Sequence, residues 1–220
     1  MLNSFYMKQQ KPVIILFGPQ GSGKGTQGKK LTEKLNIPYL ETGQLLRNEI
    51  ATGSEDGKRF ASYMDKGNLV PPEDAIALMS KKITQAVSDK GGAVIDGFPR
   101  SAEQAKGFPE DINLTHVLLI DLEDKESIRR LSARRNCPKD KKIYNMITNP
   151  PKNNETCDDC GTKLVQRDDD FPKAIQQRLD VYHRDTEPLI ERYKKMGLLH
   201  RINGMPSIEE VEKEIWKIFE

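Results

Sequence analysis

The feature that most constrains this chain is the run Val13–Phe17 (VIILF) followed directly by Gly18-Pro-Gln-Gly-Ser-Gly23-Lys24-Gly25-Thr26. Five consecutive apolar residues, mostly branched, are too few for a buried helix and read as a strand covered on both faces. Such a strand needs helices above and below it, so the fold must be a layered α/β one. The glycine-rich turn opens a helix over Lys24–Leu35, where Leu31 and Leu35 share a face and Asn36 offers a stop. Strand, GxxxxGK turn and helix in that order make a phosphate cradle. Glycines let backbone amides converge on oxygen atoms, and the helix N-terminus adds unsatisfied N–H groups. Lys24 supplies a mobile cation; Gly25 follows it where the general motif has a hydroxyl, and Thr26 carries that hydroxyl instead. The loop alone does not separate a kinase from a GTPase or a motor ATPase.

The same apolar pattern recurs at Ile37–Leu40, Ala93–Asp96, Val117–Asp121 and Leu198–Ile202, predicting five strands in all. Helical spacing fills the intervals, over Ala75–Val87 and over Ile208–Phe219, where Ser207 and Glu210 form a capping-box pattern. Strands alternating with helices predict a parallel sheet with right-handed crossovers. Two polar stretches break the alternation, Thr42–Val70 and Ser132–Asp170. Both are too long for ordinary connections and read as inserted lobes. The 35 Lys plus Arg against 33 Asp plus Glu exclude a strongly basic nucleic-acid binder. No stretch approaches the ~20 apolar residues of a membrane span. Met1–Lys11 has neither the apolar core nor the cleavage site of a secretory leader, and Met7 is a second candidate start. The three cysteines all fall between Cys137 and Cys160, which fits a reducing cytoplasm better than a disulfide scaffold.

Taken together, GPQGSGKGTQ (Gly18–Gln27), ETGQLLR (Glu41–Arg47), GNLVP (Gly67–Pro71), DGFPRSAEQ (Asp96–Gln104), RRLSARR (Arg129–Arg135), NPPK (Asn149–Lys152), QRDDD (Gln166–Asp170) and QQRLDVYH (Gln176–His183) resemble the adenylate kinase family, in its long-lid form with a cysteine-bearing lid. The resemblance runs from about Val13 to the C-terminus. It implies a P-loop nucleoside triphosphate hydrolase-like three-layer fold with a five-stranded parallel sheet. It implies a core made of residues 1–40, 71–132 and 171–220, an AMP-binding lobe at 41–70 and a lid at 133–170. It implies Mg²⁺-dependent phosphoryl transfer from ATP to AMP, giving two ADP, by a cytoplasmic monomer.

Residue by residue, the resemblance assigns ATP phosphates to Gly21, Ser22, Gly23, Lys24, Gly25 and Thr26, with Arg130 and Arg134. It assigns AMP to Thr42, Gly43, Arg47, Leu69, Val70, Gly97, Arg100 and Gln104, with Arg167 and Arg178. Lys24, Arg100, Arg134, Arg167 and Arg178 would face the transferring group, and Asp96 would orient water around Mg²⁺. The chemistry supports this independently. Two nucleotides joined tail to tail bring many negative charges together, which only converging cations can offset in a water-poor site. Arg suits the task because its planar fork binds phosphate oxygens in pairs. The acceptor phosphate is already anionic, so no general base is needed. Asp121 ends a strand as Asp96 does, and periodicity does not rank the two; only the resemblance favours Asp96. Thr42 and Gln104 are the adenylate choices where related uridylate and cytidylate kinases usually have Ala and Asn, which ranks another monophosphate kinase second. Gln20 stands where the family's loop usually has Pro, a change in loop stiffness.

Cys137-Pro-Lys-Asp140 and Cys157-Asp-Asp-Cys160 are two C-x₂-C-like half-sites with Asp140 in one position. Three thiolates and a carboxylate suit a structural Zn²⁺ with no open position, with Asp158 or Asp159 as substitutes for Asp140. His116, His183 and His200 lack metal spacing, and His183 is assigned to packing. A guanine-nucleotide switch would need NKxD, and no Asn-Lys pair exists. Between Cys137 and Asp170 six basic residues face seven acidic ones, which argues against a zinc-ribbon nucleic-acid module.

Overall fold

The computed structural model describes residues 11–220. The reading of the N-terminus as leaderless, and of Met7 as a start, falls largely on residues 1–10 and lies outside them. In chain order the elements are β1 (Val13–Phe17), α1 (Lys24–Leu35), β2 (Tyr39–Glu41), α2 (Thr42–Thr52), α3 (Glu55–Met64), α4 (Pro72–Lys90), β3 (Ala93–Asp96), α5 (Ala102–Lys106), β4 (His116–Asp121) and α6 (Asp124–Ser132). They continue with β5 (Arg134–Asn136), β6 (Ile143–Asn145), α7 (Pro172–Val181), α8 (Pro188–Lys195), β7 (Leu199–Asn203) and α9 (Ile208–Trp216). Five strands form one parallel sheet in the order β2-β3-β1-β4-β7.

Alternation along β1 explains the layers. Val13, Ile15 and Phe17 enter one core with Met79 and Ile83 of α4 and Leu189 of α8. Ile14 and Leu16 enter the other, with Leu31 of α1 and Val211 and Ile215 of α9. All five side chains are buried, so the strand reads as a continuous apolar run.

Several boundaries differ from the sequence reading for local reasons. The second strand begins at Tyr39 rather than Ile37, because Pro38 has no N–H to give to a ladder. The long helix α4 begins three residues earlier, at Pro72, whose missing N–H is harmless in a first turn, and ends at the left-handed Gly91. Asn36 caps α1 in the left-handed conformation as expected, and Ser207 and Glu210 do form the capping box. Residues 42–64 carry two helices, with the Ser54 hydroxyl capping α3 by accepting from Gly57 N–H at 2.9 Å. Residues 134–165 hold the antiparallel β5–β6 pair and short turns around one small cluster of Cys137, Tyr144, Cys157 and Leu164. Between α7 and α8 lies one wide π-helical turn, Tyr182–Thr186. Among the described residues no helix is long and apolar enough to cross a membrane.

Candidate active site

The carboxyl ends of β1, β2 and β3 meet at one end of the sheet and open into a cleft of about 250 Å³. The turn after β1 forms its floor. Gly18 sits at φ 138°, and a Cβ there would run into the Ile120 carbonyl oxygen, so the turn packs tightly on β4. Gly21, Gly23, Lys24, Gly25 and Thr26 line the cleft, whereas Ser22 is buried beneath them with its hydroxyl 3.4 Å from Lys24 Nζ. The Lys24 ammonium donates to the Gly18 and Pro19 carbonyls, each at 2.7 Å. Burial lowers its pKa to about 8, with Asp96 opposing and Arg100, Arg178 and Arg134 adding to the fall.

Asp96 ends β3 in the same cleft. Its Oδ2 accepts from the Tyr39 hydroxyl at 2.6 Å, and burial pushes the carboxyl above its usual range against the pull of Lys24. Tyr39, pressed between burial and two carboxylates, is pushed far up and stays a donor. Asp121, which ends β4, lies half-exposed and pairs with Arg201. The turn after Asp96 seats Arg100. Gly97 sits at φ 83°, where a Cβ would come within 2.6 Å of Arg100 Nη2, and Arg100 Nε donates to the Gly97 carbonyl at 3.0 Å. Thr186 Oγ1, from the π-helical turn, holds the Arg100 carbonyl at 2.8 Å.

A second, smaller cavity of about 70 Å³ adjoins the first. Thr42, Leu69, Val70 and Gln104 line it alone, while Gly43, Arg47, Gly97, Arg100 and Arg178 line both. The two cavities therefore meet along a seam of guanidinium groups. Arg134 and Arg167 stand on the larger side of it, as does Arg130. Arg167 does not line the smaller cavity. Arg130 reaches across to the Gly204 and Met205 carbonyls and pairs with Glu126 at 2.7 Å.

Asp170 organises much of the seam. Its fully buried carboxylate takes Arg134 in a two-pronged pair at 2.6 and 2.7 Å and Arg178 Nη1 at 3.1 Å. Asp169 adds a second partner for Arg178 at 3.0 Å. The side chains of Cys137, Asp140, Cys157 and Cys160 bring their donor atoms within 4.8 Å of one another. The Cys137 and Cys160 sulfurs are 3.4 Å apart, near the ~3.8 Å that a tetrahedron with ~2.3 Å zinc–sulfur bonds requires. Donor types and spacing thus fit a closed zinc site. Asp159 instead pairs with Lys142 and Asp158 caps Lys152 N–H, so neither stands in for Asp140.

These features agree with what known proteins look like. The model of the family described as "Adenylate kinase" matches residues 16–198. Relatives named adenylate kinase include one from Methanocella arvoryzae, 47% identical over 207 residues, covering 92% of this chain and 95% of that protein. Others come from Archaeoglobus fulgidus, 41% identical over 94% of this chain and 97% of the relative, and from Petrotoga mobilis, 39% identical over 93% and 96%. The chain belongs to the adenylate kinase family. As an adenylate kinase it is a phosphotransferase, and its parallel sheet with helices on both faces is the P-loop fold of that family.

Three features of this adenylate kinase escape the sequence reading. Glu41 lines the larger cavity and pairs with Arg47. It ends an apolar strand as Asp96 does, and that shared pattern is the signal that could have found it. Asp170 sits in a run of three acids, and nothing in the run distinguishes the buried one. The packing role assigned to His183 is corrected: its ring is 42% exposed, touches Tyr182 edge-on, and bridges Glu187 at 2.7 Å and Asp124 at 3.0 Å. Glu187 meets its Nδ1 and Asp124 its Nε2, so the protonated ring donates to both at once, and the Glu187 hydrogen bond raises its pKa.

Proposed function

We propose that the larger cavity receives ATP and the smaller one AMP, and that the terminal phosphoryl group crosses the guanidinium seam between them. The observation that carries this reading is the pair of adjoining cavities with Arg47, Arg100 and Arg178 on both. An oxygen of the AMP phosphate attacks the γ-phosphorus in line, the bond to the β-phosphate oxygen breaks, and two ADP result. No proton has to move at the attacking atom, so the residues act by positioning and by charge. Lys24 exchanges its loop carbonyls for phosphate oxygens, and the loop amides from Gly21 to Thr26 hold the rest of the chain. Arg100 and Arg178 bind the spreading charge from the acceptor side, Arg134 and Arg167 from the lid side, and Arg130 flanks the donor. Adenylate kinases use Mg²⁺ with ATP, and Asp96 with the Thr26 hydroxyl offers the hard oxygen donors such an ion takes, often through water. When bound, Mg²⁺ offsets charge on the donor phosphates.

We assign residues 41–70 to the acceptor lobe, 133–170 to a lid and the remainder to the core. Closure of the lid would exclude water and so protect ATP from hydrolysis. We also assign a structural Zn²⁺ to Cys137, Asp140, Cys157 and Cys160. An even charge balance supports small-molecule substrates rather than nucleic acid. A monomer working in the cytoplasm is the assembly we favour, and sedimentation velocity checks the first part.

The specificity argument rests on Gln104. Its Oε1 accepts the Arg100 backbone N–H at 2.8 Å, which fixes the amide's orientation and offers Nε2, a donor, to the base edge. Adenine presents an acceptor nitrogen, N1, to such a donor, whereas guanine and uracil present an N–H. A coupled assay of ATP with AMP, CMP, UMP and GMP in turn is expected to show kcat/KM for AMP about 10²-fold or more above UMP and GMP. A preference for UMP or CMP would overturn the assignment in favour of a pyrimidine monophosphate kinase.

A further inference from the structure

We propose that Glu41 holds down the affinity of the acceptor site by competing with the AMP phosphate for Arg47. The inference rests on the reading of the smaller cavity as the AMP site. Glu41 is the last residue of β2 and the N-cap of α2, yet its side chain makes no capping bond to the helix. It reaches across to Arg47 instead, where Oε1 accepts from Nη2 at 2.8 Å. Gln44 Oε1 is a weaker second partner at 3.4 Å. Arg47 belongs to both cavities, and Glu41 lines the larger one. Glu41 is also in register with Asp96 on the neighbouring strand, so two carboxylates flank the path where the phosphate chains must lie.

A carboxylate in that position occupies one of the five donors of the Arg47 guanidinium and offsets its charge, so less of that charge is left for the phosphate. Both groups are about a quarter exposed (27% for Arg47, 26% for Glu41), so solvent does not screen the pair fully. A neutral residue would no longer offset the Arg47 charge. Glu41 therefore loosens the grip on AMP and on the ADP formed from it. Weak acceptor binding is useful where release must keep pace with chemistry.

The test measures AMP binding by calorimetry, and KM for AMP and for ATP by steady-state assay, in wild type, Glu41→Gln, Arg47→Ala and the double variant. Glu41→Gln is nearly isosteric, and an unchanged circular dichroism spectrum and melting temperature serve as the folding control. It is expected to tighten AMP about five- to tenfold. In the Arg47→Ala background the same substitution is expected to change AMP affinity less than about twofold, because the competition acts through Arg47. Unchanged or weaker AMP binding in Glu41→Gln, or equal tightening with and without Arg47, overturns the inference. If Arg47→Ala itself leaves AMP binding unchanged, the reading of the acceptor site fails instead, and the two failures are told apart.

Discussion

Replacing Lys24 by alanine is expected to lower kcat/KM for ATP by about 10³-fold or more, with little loss of stability. Among the described residues Lys24 is the one ammonium lining a cleft whose other cations are guanidinium groups, and it is held by two carbonyls and, at 3.4 Å, the Ser22 hydroxyl of its own turn. Those contacts are local, so the fold does not depend on them, whereas the transferring phosphates do. Its depressed pKa gives the prediction a second signature. Burial and three arginines set the pKa of the free enzyme to about 8. The ammonium is therefore mostly charged at neutral pH and loses its proton as pH rises through that value. The profile of kcat/KM for ATP should fall on its alkaline side from about pH 8, whereas the limb of kcat should lie higher, because bound phosphates favour the charged form. The alanine variant should lack this limb. A wild-type profile flat across the alkaline range, or an alanine variant within about tenfold of wild type, would contradict the role given to Lys24.

Removal of zinc should produce the largest structural effect. The lid has one small apolar cluster, and two of its four buried members, Cys137 and Cys157, are themselves proposed ligands. So little burial does not order a lobe of that length. Structural zinc in small peptides contributes about 10–16 kcal/mol, which is ample. Protein purified without chelator is expected to contain one zinc per chain. A strong chelator in excess should abolish hydrogen-exchange protection across 133–170 while leaving β1, β3 and β4 protected. Activity should fall by about tenfold or more, since the lid delivers Arg134 and Arg167. AMP binding should persist, because Thr42, Arg47 and Gln104 lie outside the lid. Absence of zinc, or a lid whose exchange is untouched by the chelator, would contradict the metal assignment.

How much of this was legible in the sequence follows from which physics each part obeys. The parallel sheet was legible because strands buried on both faces must be apolar throughout, and Val13–Phe17, Ala93–Asp96 and His116–Asp121 are nearly so. The phosphate loop was legible because few residues besides glycine tolerate its backbone. The helices of 42–64 were read only as a polar lobe. They bury a narrow face, Leu46 and Phe60 among few others, so the apolar period is faint. Asp170 was invisible as a buried anchor because its partners come from other elements, Arg134 thirty-six residues away at the start of β5 and Arg178 eight residues on in α7. The partnership of Glu41 with Arg47 was equally hidden, since a strand-end carboxylate does not announce which cation it meets. His183 shows the converse error. A motif position suggested packing, while its neighbours in space, Asp124 and Glu187, made it an ion-pair centre.

The most direct test of the account is a binding titration with two adenosines joined through five phosphates, a molecule long enough to fill both cavities at once. If cations of the core, the acceptor lobe and the lid meet along one seam, a single molecule should bind per chain and displace both ATP and AMP. Binding of two molecules per chain, or displacement of only one of the nucleotides, would mean that Lys24, Arg100 and Arg178 serve separate sites.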